Sequence, residues 1–281
     1  MIPLSTLSSK RIQGDAQVAS LDNPPPWVAI GRQFRHCAGV LTLGVRPSFA
    51  EYESWEKELL FSGRTIYFPT QRFIEILHSS GIPTYPNWRY YQYIGNKFKQ
   101  TLLFQALDIP HPRTRFYWGA RKAGGITDDF SFPFIAKIGK GSSKGIGVFL
   151  IRSQSDLDAY CKTNRYAYIQ EYIHIRQSAR VVLLNGHIIK AYWLEAGEES
   201  FLTNLHQGGN ISRKPVPEKI LQMARMVAVK CGFDEVGLDI IQNGETCYVL
   251  EANMAFGTKG LEESGMNLSQ IRCDMLLKGL I

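Results

Sequence analysis

Residues 134–151 do most to limit how this chain can fold. Phe134-Ile135-Ala136-Lys137 reads as a strand, and Val148-Phe149-Leu150-Ile151 as a second. Between them lies Gly139-Lys140-Gly141-Ser142-Ser143-Lys144-Gly145-Ile146-Gly147. The Walker pattern needs Gly-Lys-[Ser/Thr] opening a helix, whereas here Gly145 is followed by Ile146 and a strand. The dinucleotide fingerprint fails on spacing, because Gly139, Gly141 and Gly145 give Gly-x-Gly-x-x-x-Gly. What remains is strand, loop, strand: a hairpin flap. Its backbone N–H groups, the Ser142 and Ser143 hydroxyls and the Lys137 charge all suit an anion. A surface hairpin with solvated lysines has the same composition, so the flap alone decides nothing.

A second constraint lies downstream. In Tyr248-Val249-Leu250-Glu251-Ala252-Asn253, Glu251 and Asn253 stand two apart and share a strand face. Asp239 joins them in one register only. A tight turn at Asn243-Gly244 pairs Asp239 with Tyr248 and puts Glu251 on the opposite face, while a five-residue loop over 243–247 pairs Asp239 with Glu251. The metal reading therefore predicts the longer loop, and a tight turn there would sink it. Ile240-Ile241 and Val249-Leu250 mark both strands as buried, where unpaired carboxylates are costly, so the three oxygen donors read as a magnesium site rather than an exposed acidic hairpin.

The rest of the chain supplies context. No apolar run approaches the ~20 residues of a membrane span, and no long Lys/Arg block or RNA-recognition signature appears, so membrane and nucleic acid are set aside as partners. The net charge of +7 suits acidic small molecules. Five scattered cysteines without Cys-x-x-Cys read as reduced thiols in a cytoplasmic protein. Residues 1–25 read as a tail, 26–115 as a small α/β lobe, and 116–281 as a second unit, divided into 116–175 with the flap and 176–281 with the metal set. Ser48 is expected to cap a helix reaching Leu60. Asn87 is expected to cap one helix over 88–107, with Tyr91, Ile94, Phe98, Leu102 and Leu103 as its apolar positions. Residues 119–129 are expected to be loop, and Ser155 to cap a helix over 155–162.

Taken in order, the flap, Gln170-Glu171-Tyr172-Ile173, Thr203-Asn204-Leu205-His206-Gln207-Gly208-Gly209, Gly237-Leu238-Asp239-Ile240 and Glu251-Ala252-Asn253 through Gly260-Leu261-Glu262 resemble the ATP-grasp superfamily, and within it the RimK-like amino-acid (glutamate) ligases. The resemblance covers about residues 96–265. It implies an α/β protein of the ATP-grasp fold, with α+β lobes and a small N-terminal pre-ATP-grasp lobe. It also implies a ligase that activates a carboxylate as an acyl phosphate with ATP and joins it to an amino-acid amine, glutamate being the family's usual one. Magnesium is the implied metal, with manganese accepted by the same donors, and homo-oligomers are common among relatives.

By resemblance, Lys137 and Lys97 hold phosphates; Gly141, Ser142, Ser143, Lys144 and Gly145 close over them; Gln170, Glu171, Tyr172 and Ile173 meet adenine. Asn204 orients the triphosphate or its metal, Arg180 with Lys137 faces the reacting groups, and Asp239, Glu251 and Asn253 hold the metal; Ser178 stands where relatives usually carry the aspartate of Asp-x-Arg, so the ribose contact is either lost or taken over by the serine hydroxyl. Many relatives carry an arginine where Leu194 follows Tyr192-Trp193. An ATP-grasp kinase, or an ATP-binding partner protein without catalysis, are the alternatives.

Overall fold

The computed structural model describes residues 26–139, 147–197, 210–212 and 214–281. The tail, the flap residues Gly141 to Gly145 and Asn204 lie outside the described residues.

Three sheets follow one another along the chain. The first is parallel, with strand order β2-β1-β3-β4: β1 (Trp27–Ala29), β2 (Val40–Thr42), β3 (Ile66–Tyr67) and β4 (Thr84–Tyr85). Helices α1 (Ser54–Leu60) and α2 (Thr70–Ser79) belong to it, and Phe73, Ile74 and Leu77 form the buried face of α2. The helix expected from Ser48 begins later. Phe49–Glu51 is a 3-10 turn, and Glu53 forms the capping box of α1 with Glu56.

The helix expected over 88–107 is two: α3 (Trp88–Tyr93), capped by Asn87, and α4 (Lys97–Ala106), capped by Asn96, whose side chain accepts from the Lys99 N–H at 3.1 Å. Gly95, at φ +61°, makes the break. The break also turns α4, and its buried residues are Lys97, Gln100, Thr101 and Phe104 while Leu102 is exposed. The inward face of α4 is largely polar, the reverse of the apolar stripe expected.

The second sheet, order β5-β8-β6-β7, is antiparallel: β5 (Thr114–Trp118), β6 (Phe134–Lys137), β7 (Val148–Ile151) and β8 (Tyr166–Glu171). Helix α5 (Lys122–Asp129) occupies the stretch expected to be loop. Its two glycines disfavour helix by about 1 kcal/mol each, and complete burial of Ile126 against Phe134, Ile151 and Leu157 overrides that preference. Helix α6 (Gln154–Thr163) is capped by Ser153 rather than Ser155, through a capping box with Asp156.

The third sheet, order β11-β10-β9-β12-β13, is antiparallel: β9 (Gln177–Leu184), β10 (His187–Glu195), β11 (Asn210–Ser212), β12 (Glu235–Asn243) and β13 (Thr246–Asn253). Helix α7 (Glu218–Cys231) covers one face with Ile220, Ala224 and Val227, packed on Val181, Leu183, Val236 and Leu238. The other face carries Val182 and Leu184 under α8 (Lys259–Glu262) and α9 (Leu268–Leu277), together with the charged residues described below.

One expectation from the cysteines is corrected. Cys37 and Cys273 form a disulfide with their Cα atoms 5.4 Å apart, while Cys161, Cys231 and Cys247 are free. The fold packs the turn after β1 against α9, and 236 residues of sequence separation hid that proximity.

Candidate active site

The register of β12 and β13 decides whether the acidic residues meet. The turn is tight, with Asn243 paired to Thr246, which the loop-length argument counted against the metal set. A bulge between Asp239 and Ile240 adds one residue on β13, and beyond it Asp239 faces Glu251 directly. The expected five-residue loop is absent; a tight turn one residue later than Asn243-Gly244, spanning Gly244 and Glu245, and the bulge together give the pairing that loop would have given. Loop length was the wrong test, because a bulge shifts register without changing the turn.

Strand pairing then builds one row across four strands. Tyr192 lies opposite Arg180, Arg180 opposite Asp239, and Asp239 opposite Glu251, all on one face. Arg180 donates from Nε to Asp239 Oδ1 at 2.6 Å and from Nη2 to Oδ2 at 2.9 Å, a bidentate pair with both side chains about 15% exposed. Burial works against the Arg180 charge, but Asp239's charge and hydrogen bonds together hold its pKa above the ordinary value. Asn253 Nδ2 donates to Asp239 Oδ2 at 3.4 Å. Burial also raises the Tyr192 phenol.

From the other side comes α4. Lys97, its first residue, places Nζ 2.6 Å from Glu251 Oε1. Gln100, one turn on, donates from Nε2 to Ala252 O at 2.8 Å and accepts from Ala252 N at 3.1 Å, clamping the backbone between Glu251 and Asn253. Tyr90 of α3 donates to Met254 O at 2.9 Å. The polar face of α4 is therefore what holds β13 in place. Gln100 was missed in the sequence. Its signal was a position three residues from Lys97, a shared helix face.

The second sheet supplies the opposite wall. Lys137 pairs with Tyr168, and Gln170 with both Ile135 and Thr114, so Lys137, Tyr168, Gln170 and Thr114 share a face. Thr101 of α4 meets the Tyr168 hydroxyl at 2.7 Å, and Phe98 packs edge-on against Phe116 with ring centroids 5.0 Å apart. Gly139 follows β6 where Phe98 passes. A Cβ there would fall 1.8 Å from the ring, and the glycine lets its carbonyl accept from the Lys97 N–H at 2.8 Å.

Lys137 is buried with Nζ 5.5 Å from the Tyr168 ring centroid. Burial pushes its ammonium down to about 8; Glu251 and Asp239 oppose that shift and Lys97 adds to it. Burial likewise pushes the Tyr168 phenol up to about 12.

The structure thus brings Lys97, Lys137, Arg180, Asp239, Glu251 and Asn253 around one cleft. Ser178 lies on the Arg180 face of β9, fully buried and paired with Leu194. The adenine candidates are engaged differently. Gln170 Nε2 donates to Thr114 Oγ1 at 2.9 Å, Glu171 accepts from the Arg113 N–H at 2.6 Å, and Tyr172 meets His174 Nδ1 at 3.0 Å. Their side chains shape the end of β8. Tyr172 and Ile173 follow that strand without joining it, which leaves backbone groups there outside the ladder.

Two carboxylates and one carboxamide are hard oxygen donors that fit magnesium. Among the described residues no group of three or more His, Cys, Asp or Glu is placed to hold a metal ion.

Residues 94–275 match the family model described as RimK-like ATP-grasp domain. A probable alpha-L-glutamate ligase of Aeromonas salmonicida is 31% identical over 136 residues, 46% of this chain and 45% of that protein. A ribosomal protein bS6--L-glutamate ligase of Escherichia coli O139:H28 is 30% identical over 138 residues, 47% of this chain and 46% of that protein. The chain spans about half the length of these curated relatives. The crystal structure of a RimK domain ATP-grasp protein from Sphaerobacter thermophilus superposes with a TM-score of 0.61 at 15% identity, covering 89% of this chain and 99% of that one, a likeness of fold alone. No helix among the described residues is long and apolar enough to cross a membrane.

Proposed function

The chain belongs to the RimK-like ATP-grasp family, and on that footing we propose that it is an ATP-dependent carboxylate–amine ligase. The observation that carries the reading is the row Arg180–Asp239–Glu251 met by Lys97, with a buried Lys137 opposite. Two acids and three cations in one cleft match a polyphosphate and its metal. Asp239, Glu251 and Asn253 would hold a magnesium ion, which when bound neutralises phosphate charge and aligns the phosphoryl group. Manganese would fit the same donors.

Lys97 and Lys137 would neutralise the polyphosphate, and Arg180 would stabilise charge on the transferred phosphoryl group and the acyl phosphate. In the first step a carboxylate oxygen attacks the γ-phosphorus of ATP; the bond to the β-phosphate oxygen breaks and ADP leaves. In the second an amine nitrogen attacks the acyl carbon, phosphate departs, and the nitrogen gives up a proton. No protein nucleophile is needed, so positioning and charge neutralisation carry the catalysis. Glutamate, named in both curated relatives, is the first amine to test.

Hydroxylamine trapping tests the reading without knowledge of the amine. The protein is incubated with Mg-ATP, hydroxylamine and pooled carboxylates, and hydroxamates and ADP are read by mass spectrometry, with Glu251→Gln as the control. A hydroxamate absent from the control supports the ligase and names its acid. ADP release without hydroxamate, together with a phosphorylated product, would favour a kinase, and neither product would overturn catalysis.

A further inference from the structure

A tyrosine hydroxyl stands inside the sheet that carries Lys137. Tyr160 belongs to α6 and packs with Phe134, Ala136, Ala167 and Ile169, which share one face of the second sheet. Its side chain is buried, at 5% exposure. Strand alternation turns Lys137 and Tyr168 to the opposite face, toward the cleft.

The register shows what the hydroxyl meets. Glu171 turns its N–H away from β6 and donates to Arg113 O. Along an antiparallel strand successive residues turn their N–H groups to alternate sides, so the Tyr168 N–H points to β6, where its partner is Lys137. A direct rung would join Tyr168 N–H to Lys137 O. Instead Tyr160 accepts from the Tyr168 N–H at 3.1 Å and donates to Lys137 O at 2.7 Å. This pair is the last between β6 and β8; the next amide, Ile138 N–H, donates to Gly147 O. The hydroxyl therefore occupies the rung at which Lys137 leaves the sheet.

The two residues it bridges also meet on the cleft face. Lys137 Nζ lies 5.5 Å from the Tyr168 ring centroid, and the Tyr168 hydroxyl meets Thr101 of α4 at 2.7 Å. Burial pushes the Tyr160 phenol up to about 12, so it keeps the proton it donates.

We propose that Tyr160 is a positioning residue for nucleotide binding: by bridging the last rung it sets the separation of the Lys137 and Tyr168 backbones, and so holds the Lys137 ammonium over the Tyr168 ring at the cleft. The inference rests on the reading of Lys137 as a polyphosphate-binding cation. A direct rung is one contact of about 2.9 Å, whereas the bridge spans two contacts in series. Tyr160→Phe keeps the ring that packs 5.8 Å from Phe149 and removes the bridge, so the rung closes and carries Lys137 with it.

The test is a double-mutant cycle read by calorimetry of a non-hydrolysable ATP analogue with magnesium. Tyr160→Phe weakens binding by about fivefold, the scale of one hydrogen bond. In a Lys137→Met background the same substitution changes affinity less than about twofold, because its effect runs through Lys137. The pH dependence of binding in Tyr160→Phe also moves its midpoint above 8, as the displaced ammonium regains water. Phe149→Leu, which alters the packing of the ring and spares the bridge, leaves both readouts in place. Thermal unfolding of each variant establishes that it is folded. Unchanged affinity in Tyr160→Phe overturns the proposal, as does an equal loss in both backgrounds with the midpoint still at 8. Lys137→Met alone tests the underlying reading: unchanged affinity there removes Lys137 from the nucleotide site, whereas a loss there with none in Tyr160→Phe sinks only the positioning role.

Discussion

Raising the pH through 8 should weaken nucleotide binding, because Lys137, a buried cation of the cleft, loses its proton there. Burial lowers Lys137 to about 8 from its ordinary 10.5, and only the charged form attracts phosphate. If bound nucleotide keeps Lys137 charged, the dissociation constant grows as one plus ten to the power (pH − 8). Between pH 7.5 and 9.0 that is a factor of about eight, roughly 1.2 kcal/mol. At pH 9.0 binding should take up about 0.9 proton per nucleotide. Starting at pH 7.5 keeps the terminal phosphate ionised. Calorimetry of a non-hydrolysable ATP analogue in buffers of different ionisation enthalpy reads both quantities. Lys137→Arg should flatten the profile, since guanidinium stays charged throughout. The sign for stability is opposite to that of an ion-paired lysine. Below pH 8 the folded protein bears the cost of a buried charge, about 3 kcal/mol from the lowered pKa. From pH 8 to 10.5 the unfolded chain binds more protons than the folded one, so this group's contribution to stability rises with pH. Lys137→Met should therefore stabilise the nucleotide-free protein at pH 7 and abolish that rise. A nucleotide affinity that stays flat from pH 7.5 to 9.0 in the unaltered protein would refute the reasoning.

Three further perturbations follow from the same geometry. Asp239→Asn strands the Arg180 guanidinium in a mostly buried position and should cost about 3–5 kcal/mol in chemical denaturation, besides abolishing ADP release. Gln100→Leu removes both hydrogen bonds to Ala252 and should cost about 1–3 kcal/mol. Because it loosens the backbone between Glu251 and Asn253, it should also raise the magnesium concentration required for half-maximal nucleotide binding. Cys37→Ser should lower stability by about 2–4 kcal/mol through loss of a long-range cross-link, and peptide mapping under non-reducing conditions should find Cys37 joined to Cys273 in the unaltered protein.

How legible the cleft was depended on whether a residue's role was set locally or by tertiary packing. Glu251 and Asn253 could be placed on one face because strand alternation has a fixed period of two. Asp239 opposite Glu251 could not be derived that way. The turn geometry pointed against it, and the bulge that restores the pairing has no composition of its own in Ile240-Ile241 or Val249-Leu250. Helix α4 was misread for a related reason. Periodicity assumes that the apolar stripe faces inward, yet here Lys97, Gln100 and Thr101 are buried because their partners, Glu251, Ala252 and Tyr168, arrive from other elements. A polar face that is buried against polar partners has the same sequence pattern as one that faces water. The α5 helix and the disulfide were hidden likewise, since Ile126 and Cys273 take their meaning from neighbours distant in sequence.

The same pairings explain how the cleft can hold five charged side chains so close together. Without nucleotide, Arg180 neutralises Asp239 and Lys97 neutralises Glu251, so only Lys137 is left without an acid in contact, and it is the one whose pKa burial drives down. A polyphosphate with its metal brings both signs of charge at once. The carboxylates exchange a cationic side chain for the metal, while the released cations exchange a carboxylate for phosphate. Neither exchange leaves a buried charge uncompensated, which would otherwise cost several kcal/mol. Binding of either alone does leave one: metal without phosphate strands Lys97 and Arg180, and phosphate without metal strands Asp239 and Glu251. Nucleotide and magnesium should therefore bind with strong positive coupling, each tightening the other by the same factor. Equal nucleotide affinity with and without magnesium would mean that the carboxylates hold their cations throughout and are structural rather than metal ligands.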